Sequence, residues 1–401
     1  MAISSRRLAE PGADESGSGP SASSAGVYLD CNATAPIDPQ VRAEVWRYLT
    51  EEYGNAGSRT HQYGQAARNR VQQAREQVAG VVAAEPAEVI FTSGATEADN
   101  LALLGIAPHG DSAGHRHIIS SQIEHKAVLE PLEHLSGRGF EVTLVPPTRG
   151  GWVDPEAVRA ALRTDTVLVS IMHVNNETGV IQPLDEIAAV LRGHDAYFHV
   201  DAAQGFGKDL APLRNKRIDL ISVSGHKIYG PKGVGALIAR RRRFAPPPLQ
   251  PLMYGGGQER GLRPGTVPVP LVAGLGTAAE LAIAHHDERR RRNDAYREKI
   301  LAAFAPFGPV INGEEDRIIA HAVNLSIPGL DSEGVMLALK GIVAISNGSA
   351  CTSQSYDPSH VLTAMGLDRD TVEGALRISW CHLTEEPDWT EFQRRLHELR
   401  R

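Results

Sequence analysis

The feature that most constrains the fold is a series of short, almost wholly apolar segments that alternate with stretches of helical spacing. Near-continuous apolar strands are typical of parallel sheets, because helices cover both faces of such a sheet. The sequence therefore predicts an α/β fold with a mostly parallel sheet flanked by helices. Five of the predicted strands cover residues 118–121, 142–145, 167–171, 197–200 and 220–223.

Length and composition predict two domains of unequal size. The chain has 401 residues, of which 42% are hydrophobic and 22% charged, so it can bury one large core and a smaller one. We expect a large domain at 27–285, with 27–36 packing near the small domain, and a smaller α+β domain at 286–401. Residues 1–26 are rich in Ser, Gly, Ala and Pro and are predicted to form a disordered extension.

Cysteine usage and charge exclude several classes of protein. Cys31, Cys351 and Cys381 lie far apart and form no CxxC pair, so we expect neither a disulfide framework nor a metal site. No apolar run is long enough to span a bilayer, and no secretory leader is evident, which predicts a cytoplasmic protein without membrane contact. The net charge of −7 argues against direct binding of nucleic acid.

Polar residues follow several of the predicted strands at the point where each strand ends. Because ligands gather at the carboxyl ends of parallel strands, four polar strand ends in one sheet predict a site. These strand ends are Glu124-His125-Lys126, Asn175-Asn176-Glu177, Asp201-Ala202-Ala203-Gln204 and Ser224-Gly225-His226-Lys227.

Lys227 has the most definite chemical implication. A lysine is rarely buried unless it is paired, and here it leaves a strand among Ser and Gly residues. A lysine amine that loses its proton can attack an aldehyde, and pyridoxal phosphate is the cofactor that this chemistry fits. Hydroxyls and amides near Ser224, and in the turn 92–97 that opens a helix, suit its phosphate. The alternatives are a surface lysine in a turn and, for Thr96, a helix N-cap.

Three other polar residues have roles in such a site. Asp201 would pair with the pyridine nitrogen and keep it protonated. His125 could lie over the ring face and move protons, and Gln204 could hydrogen-bond the ring hydroxyl. Taken singly, each has an ordinary structural explanation: a capping Asp, a core His and a surface Gln.

The C-terminal part contains two unusual residues. Cys351 lies in a run of small polar residues, 346–355, which is typical of an exposed loop and favours a reactive thiol. Cys31 and Cys381 have apolar or aromatic neighbours and are interpreted as packing residues. Arg377 lies inside an apolar strand and needs a carboxylate partner, a role that the carboxylate of a substrate would fill.

Taken together, these motifs resemble the cysteine desulfurases of the class V aminotransferase family, which are fold type I enzymes that use pyridoxal 5'-phosphate. The resemblance extends from Val27 to about Glu391 and implies a seven-stranded sheet. Its most specific pieces are residues 93–97, 124–126, 175–177, 201–204, 224–227 and 348–353.

The resemblance implies a role for each candidate residue. Lys227 carries the cofactor, His125 stacks on it, and Cys351 receives the sulfur of L-cysteine as a persulfide while L-alanine is released. The other implied roles are Asp201 and Gln204 at the ring, Ala95, Thr96, Ser224 and His226 at the phosphate, Asn176 and Arg377 at the substrate carboxylate, and Thr266 at the phosphate of the other subunit of a homodimer.

The sulfur acceptor stays open between an iron–sulfur scaffold, a tRNA thiolation enzyme and a DNA-modifying partner. The long Ser/Thr-rich loop resembles the subgroup that serves iron–sulfur scaffolds, whereas residues 30–34 and 54–61 are similar to the desulfurases of DNA phosphorothioation systems. Ala35 and Ala56-Gly57 depart from the usual Thr and Pro. The alternative functions are a selenocysteine lyase or another class V aminotransferase. A non-enzymatic scaffold is disfavoured because Lys227, Asp201 and His125 are all present.

Overall fold

The computed structural model describes residues 26–347 and 358–400, and in these ranges it has a seven-stranded sheet and two smaller ones. The large sheet confirms the predicted α/β fold. Its strand order is β2-β8-β7-β6-β5-β3-β4, and β8 alone runs antiparallel to the other six strands. The strands are β1 Val27–Tyr28, β2 Val89–Thr92, β3 His117–Ser121, β4 Glu141–Val145, β5 Thr166–Ser170, β6 Tyr197–Asp201, β7 Leu220–Ser224, β8 Gly235–Ala239, β9 Val310–Ile311, β10 Ala322–Ser326, β11 Val343–Ala344 and β12 Ala375–Ser379.

Helices connect most of the parallel strands, because two parallel neighbours need a crossover connection rather than a tight turn. Within the described ranges, none of them has the length and apolar character needed to cross a membrane. The helices are α1 Pro39–Thr50, α2 Gln62–Val81, α3 Ala95–Ala113, α4 Lys126–Ser136, α5 Pro155–Ala161, α6 Leu184–Val190, α7 Val269–Ala284, α8 His286–Phe304, α9 Ser332–Ala338, α10 His360–Ala364, α11 Arg369–Glu373 and α12 Trp389–Leu399.

Both faces of the large sheet are buried, each in its own apolar core. Successive side chains of a strand point to opposite faces, so Leu168 and Leu220 belong to one core and their neighbours Val169 and Ile221 to the other. Helices α3 and α4 cover the first face, whereas α2 and α7 contribute to the core on the second. This burial on both sides explains why the strands are largely apolar along their whole length.

The C-terminal part has a separate core around a three-stranded antiparallel sheet, β12-β10-β9. Three large aromatic side chains are buried in this core: Phe304 of α8, Phe392 of α12 and Trp380, which follows β12. The first strand, β1, pairs in parallel with β11, so the start of the described chain lies against this C-terminal part. The region between β1 and α1 can therefore reach the large sheet and the C-terminal part together.

Candidate active site

The polar strand ends predicted from the sequence meet at one edge of the large sheet. Strands β3, β5, β6 and β7 are consecutive neighbours, so their carboxyl ends lie side by side. They border a cavity of about 540 Å³ together with the first turn of α3. Ten of the predicted site residues line this cavity: Ala95, Thr96, His125, Asn176, Asp201, Gln204, Ser224, His226, Lys227 and Arg377.

Lys227 ends a short 3-10 turn, Gly225–Lys227, that follows β7 directly. Its Nζ donates hydrogen bonds to the backbone carbonyls of Ala33, at 2.9 Å, and Asn32. The turn continues through Tyr229, which is held in the left-handed region at φ 66° although it has a bulky side chain. Such a conformation persists only where the surroundings enforce it, and Tyr229 is buried here.

Asp201 is buried, and its Oδ1 accepts the backbone N–H of Ala203 at 2.9 Å. Burial raises the pKa of Asp201 to about 6, and the negative charge of Asp99 adds to this effect. A buried carboxylate is stable only beside a positive group or a strong donor. The protonated nitrogen of a pyridine ring is such a group.

His125 caps the start of α4, where its Nδ1 accepts the backbone N–H of Ala127 at 3.1 Å. Burial lowers the pKa of His125, so the imidazole is neutral near pH 7. Because Nδ1 accepts, the proton is assigned to Nε2. The ring is thereby held at the cavity wall as a neutral donor.

An anion can bind where α3 begins. Gly94 precedes the helix and has no side chain to cap its first amides, so the N–H groups of Ala95 and Thr96 can serve a ligand. Because the helix already begins at Ala95, Thr96 belongs to its first turn, and the N-cap alternative is wrong. A Cβ atom on Gly235 of β8 would lie 2.7 Å from the Cα of Gly94, so only glycine permits this close approach.

The residues present fit pyridoxal phosphate. The cavity offers a lysine amine, a buried carboxylate and an anion site made of helix amides with Ser224 and His226. Gln204 donates from Nε2 to the Asn32 carbonyl at 2.8 Å. Its buried Oε1, like Oδ1 of Asn32, has no hydrogen-bond partner among the described residues. Buried acceptors without a hydrogen-bond partner are expected where a bound ligand donates hydrogen bonds to them.

Arg377 is 1% exposed and lies in β12, yet its guanidinium reaches the cavity. One of its nitrogens donates to Oδ1 of Asp30 at 2.7 Å and another to the carbonyl of Asn176 at 3.3 Å. Asp30 is therefore the carboxylate partner that was predicted for Arg377 from the sequence.

Two predicted site residues remain, and of these the described part of the chain includes Thr266 alone. Thr266 is exposed and precedes α7. Cys351 lies outside the described residues. The other two cysteines are buried: Cys31 is 1% exposed and Cys381 is 3% exposed, and both pack with Ala35 and Tyr229. This agrees with their interpretation as packing residues.

Several residues of the cavity wall were not predicted from the sequence, among them Asn32 and Asp99. The backbone carbonyl of Asn32 accepts hydrogen bonds from both Lys227 and Gln204. Any residue type has such a carbonyl, so the sequence gives no sign of this contact. Asp99 could have been found, because it follows Thr96 by three residues on α3 and so shares its face.

Comparison with known proteins identifies the family. The sequence profile of the family described as "Aminotransferase class-V" matches residues 27–391. The chain belongs to the class-V aminotransferase family. This confirms the family named from the motifs.

Relatives of this class-V aminotransferase are cysteine desulfurases. A curated "Cysteine desulfurase, mitochondrial" of Drosophila melanogaster is 46% identical over 368 residues, which are 91% of this chain and 79% of that protein. The solved structure of DndA from Streptomyces lividans is 50% identical, with a TM-score of 0.77, and the match covers 86% of this chain and 97% of that one. A structure described as SspA in complex with cysteine is 37% identical, with a TM-score of 0.77 and coverage of 88% and 98%. These relatives confirm the prediction of a pyridoxal-phosphate-dependent cysteine desulfurase.

Proposed function

We propose that this class-V aminotransferase takes the sulfur from L-cysteine at the cavity lined by Lys227, Asp201 and His125 and passes it to Cys351. The observation that carries the proposal is the meeting of these three side chains with an anion site in one cavity. The solved relative that contains cysteine supports this substrate. Written as a balance, L-cysteine and the Cys351 thiol give L-alanine and a Cys351 persulfide.

The cofactor would be held by groups that the chain already orients. Lys227 would carry it, and Asp201 would pair with its ring nitrogen. Gln204 would contact the ring hydroxyl, and Ala95, Thr96, Ser224 and His226 would bind the phosphate. Once bound, pyridoxal phosphate supplies an electron sink for the bonds that are broken at the substrate. Burial lowers the pKa of His226 to about 4, so that residue acts as a neutral hydrogen-bonding group.

The remaining chemistry belongs to side chains of this chain. The amine of Lys227 would take the proton from the α-carbon of L-cysteine, since it is the base that the turn after β7 aims into the cavity. The thiolate of Cys351 would then attack the substrate sulfur. Replacement of that sulfur by a proton at the β-carbon leaves L-alanine.

Product analysis tests the proposal as a whole. With L-cysteine as substrate, we expect equal amounts of L-alanine and enzyme persulfide, and sulfide when a thiol reductant is added. A keto acid as the main product would instead favour another class-V aminotransferase activity. Turnover of L-selenocysteine without turnover of L-cysteine would favour a selenocysteine lyase.

Arg377 and Asn176 would bind the carboxylate of the substrate. Arg377→Lys keeps a positive charge near Asp30 but replaces the planar guanidinium by a point charge that cannot form a two-pronged bond. A hydrogen bond to a charged group contributes about 1.5–3 kcal/mol, so we expect KM for L-cysteine to rise roughly 10- to 100-fold. The spectrum of the bound cofactor should stay unchanged.

Arg369→Lys is the matched control for this experiment. Arg369 is exposed and pairs with Glu373 at 2.6 Å on α11, away from the cavity. Its replacement should leave KM unaltered. An unchanged KM in Arg377→Lys would show that another group binds the carboxylate.

A homodimer is proposed on the resemblance together with one structural observation. Thr266 is exposed, and Met253 and Tyr254, just before the glycine-rich turn 255–257, are 44% and 86% exposed. Apolar side chains on a surface are typical of a face that another protein covers. A second copy of the chain would cover them and receive Thr266 at its phosphate site.

The sulfur acceptor is proposed to be a partner in DNA phosphorothioation. The 50% identity to DndA exceeds the 46% to the curated mitochondrial desulfurase, which supports this branch of the resemblance. An iron–sulfur scaffold and a tRNA thiolation enzyme are the competing acceptors. The cytoplasmic location also stays a prediction, since curated relatives include a mitochondrial protein.

A further inference from the structure

Two buried cysteines pack against Tyr229, which follows Lys227 by two residues. Cys31 belongs to the segment between β1 and α1, and Cys381 comes two residues after the end of β12. Both are free thiols, and together with Ala35 and Tyr229 they form one small buried cluster. The proposed reaction uses neither of them, so their meeting at this place calls for a separate explanation.

Backbone contacts hold the two cysteine-bearing segments together. Asp30 pairs with Ser379 in a parallel bridge, and the N–H of Cys31 donates to the carbonyl of Ser379 at 3.1 Å. The next N–H along the chain, that of Asn32, donates to Oγ of Ser379 at 2.8 Å. The start of the described chain and the end of β12 therefore meet at the position of the two thiols.

The thiols also contact each other through a hydrogen bond. The bond between them raises the pKa of Cys31 and lowers that of Cys381 to about 6. Thr384 fixes the second thiol, because its Oγ1 lies 3.6 Å from Sγ of Cys381 and accepts the backbone N–H of the same residue at 2.9 Å. Cys381 is thus the thiol that ionises first, and Cys31 is a protonated thiol in contact with it.

A lysine amine lies near this pair. Burial lowers the pKa of Lys208 to about 8, and the two thiols act in the opposite direction, while the charge of Lys208 lowers the pKa of each thiol. Its Nζ is 3.1 Å from Nε2 of His321, and burial lowers the pKa of His321 so far that the imidazole is neutral. A thiolate beside a cation is the form of cysteine that reacts with oxidants.

A cavity of about 130 Å³ borders the cluster and is lined by Lys208, Tyr229 and His321. A water molecule takes up about 30 Å³, so the cavity can admit hydrogen peroxide, which is only slightly larger. Bulky reagents are kept out, because Cys31 and Cys381 are almost fully buried. The pair is therefore open to small oxidants but not to alkylating agents.

We propose that Cys31 and Cys381 form a redox-active pair that hydrogen peroxide converts to a disulfide, which tethers the segment that holds Lys227 to the segment after β12. The thiolate of Cys381 attacks one oxygen of the peroxide, the O–O bond breaks, and the released hydroxide takes up the proton that Cys381 had lost. The sulfur of Cys31 then attacks the resulting sulfenic acid, and the hydroxyl group leaves as water with the proton of Cys31. Two thiols and one hydrogen peroxide give one disulfide and two molecules of water.

The disulfide should affect the cofactor site. An S–S bond is about 2.05 Å long, which is shorter than a hydrogen bond between thiols, so the two segments must move toward each other. Asn32 follows Cys31 directly, and its carbonyl accepts hydrogen bonds from Lys227 and Gln204. A displacement of about 1 Å at a catalytic group can lower a rate by about 10²-fold. This consequence rests on the proposed role of Lys227.

The first test uses the Cys351→Ser holoenzyme, in which Cys31 and Cys381 are the remaining cysteines. After treatment with hydrogen peroxide, alkylation in denaturant should find neither thiol, and dithiothreitol should restore both. Mass spectrometry of the unreduced digest should find the peptides of positions 31 and 381 joined, with the loss of two hydrogen atoms. Thiols that survive the treatment would overturn the proposal, and so would oxidised cysteines without the cross-link.

Variants in the same Cys351→Ser background make the result specific. Cys31→Ala should abolish the cross-link within the chain, and Cys381→Ala provides the same test if the first variant folds poorly. Lys208→Met should slow formation of the cross-link at least about threefold, because it removes a cation that favours the thiolate. Lys299→Met is the matched control, since Lys299 is exposed and pairs with Glu386. Equal rates in Lys208→Met and Lys299→Met would contradict the role assigned to Lys208.

The second test measures the effect of the disulfide on the cofactor site. The product L-alanine is used as the probe, because the thiol of L-cysteine could reduce the disulfide. In the Cys351→Ser holoenzyme, oxidation should slow the absorbance change that L-alanine produces by at least about tenfold, and dithiothreitol should reverse the effect. Equal rates before and after formation of the cross-link would overturn the proposed tether. A reduced protein that does not respond to L-alanine at all would instead contradict the proposed function.

Discussion

Replacing Lys227 by alanine should abolish both the covalent attachment of pyridoxal phosphate and turnover. Lys227 is the lysine that the turn after β7 holds in the cavity, through the carbonyls of Asn32 and Ala33. Loss of a positioned acid–base group alone lowers a rate by roughly 10²–10⁴-fold, and the covalent hold on the cofactor is lost as well. We expect no measurable L-alanine from L-cysteine. After borohydride reduction, mass spectrometry should find no cofactor on the peptide that contains position 227.

Lys232→Ala is the control for this variant. Lys232 lines the same cavity five residues further along the chain, but no cofactor attachment is proposed for it. That variant should keep the cofactor on Lys227 after reduction. Recovery of reduced cofactor on Lys232 in the unaltered protein would reject the role proposed for Lys227.

Replacing Cys351 by serine should separate cofactor chemistry from sulfur transfer. The cavity contains the groups proposed to bind the cofactor, so Cys351→Ser should retain the visible absorbance and the cofactor affinity of the unaltered protein. A hydroxyl is a far weaker nucleophile toward sulfur than a thiolate. Formation of L-alanine and persulfide should therefore fall by at least about 10²-fold.

Thiol counting makes this result specific. Because Cys31 and Cys381 are 1% and 3% exposed, alkylation of the native protein should modify one thiol per chain at most, and none in Cys351→Ser. Denatured protein should show three thiols, and two in the variant. Desulfuration that persists in Cys351→Ser would remove this cysteine from the mechanism.

The two variants test different parts of the proposal. Lys227→Ala removes the absorbance of the bound Schiff base and the activity together, whereas Cys351→Ser removes the activity alone. If both variants kept that absorbance, the cofactor would be attached to another lysine. Loss of colour in both would mean that Cys351 supports the cofactor site, contrary to its proposed role as the sulfur carrier.

Much of the site was predictable because its residues follow strands. A parallel sheet places all its carboxyl strand ends at one edge, so His125, Asp201 and Lys227 could be assigned to one site without knowledge of the strand order. The strand order was not predictable, because an apolar run does not indicate which other strands it will pair with. Strand β8 was missed for a related reason, since Gly235–Ala239 follows a glycine-rich turn and runs antiparallel.

Contacts between distant segments were not predictable. Arg377 was recognised as needing a carboxylate, yet Asp30 lies 347 positions away in the chain. The pairing of β1 with β11 brings these two residues together, and strands of two residues leave almost no periodic signal. The role of Asn32 was hidden as well, because its backbone carbonyl makes the contact with Lys227.

The amino-acid sequence alone therefore determined the fold class, the family and most of the chemical groups at the site, since these follow from residue types and local spacing. Only the tertiary structure decided how those groups face one another. It placed the carboxyl group of Asp99 next to His199, and it paired Arg377 with Asp30. Such electrostatic relations depend on distances of a few ångströms and on burial, and both quantities arise only when segments far apart in the chain pack together.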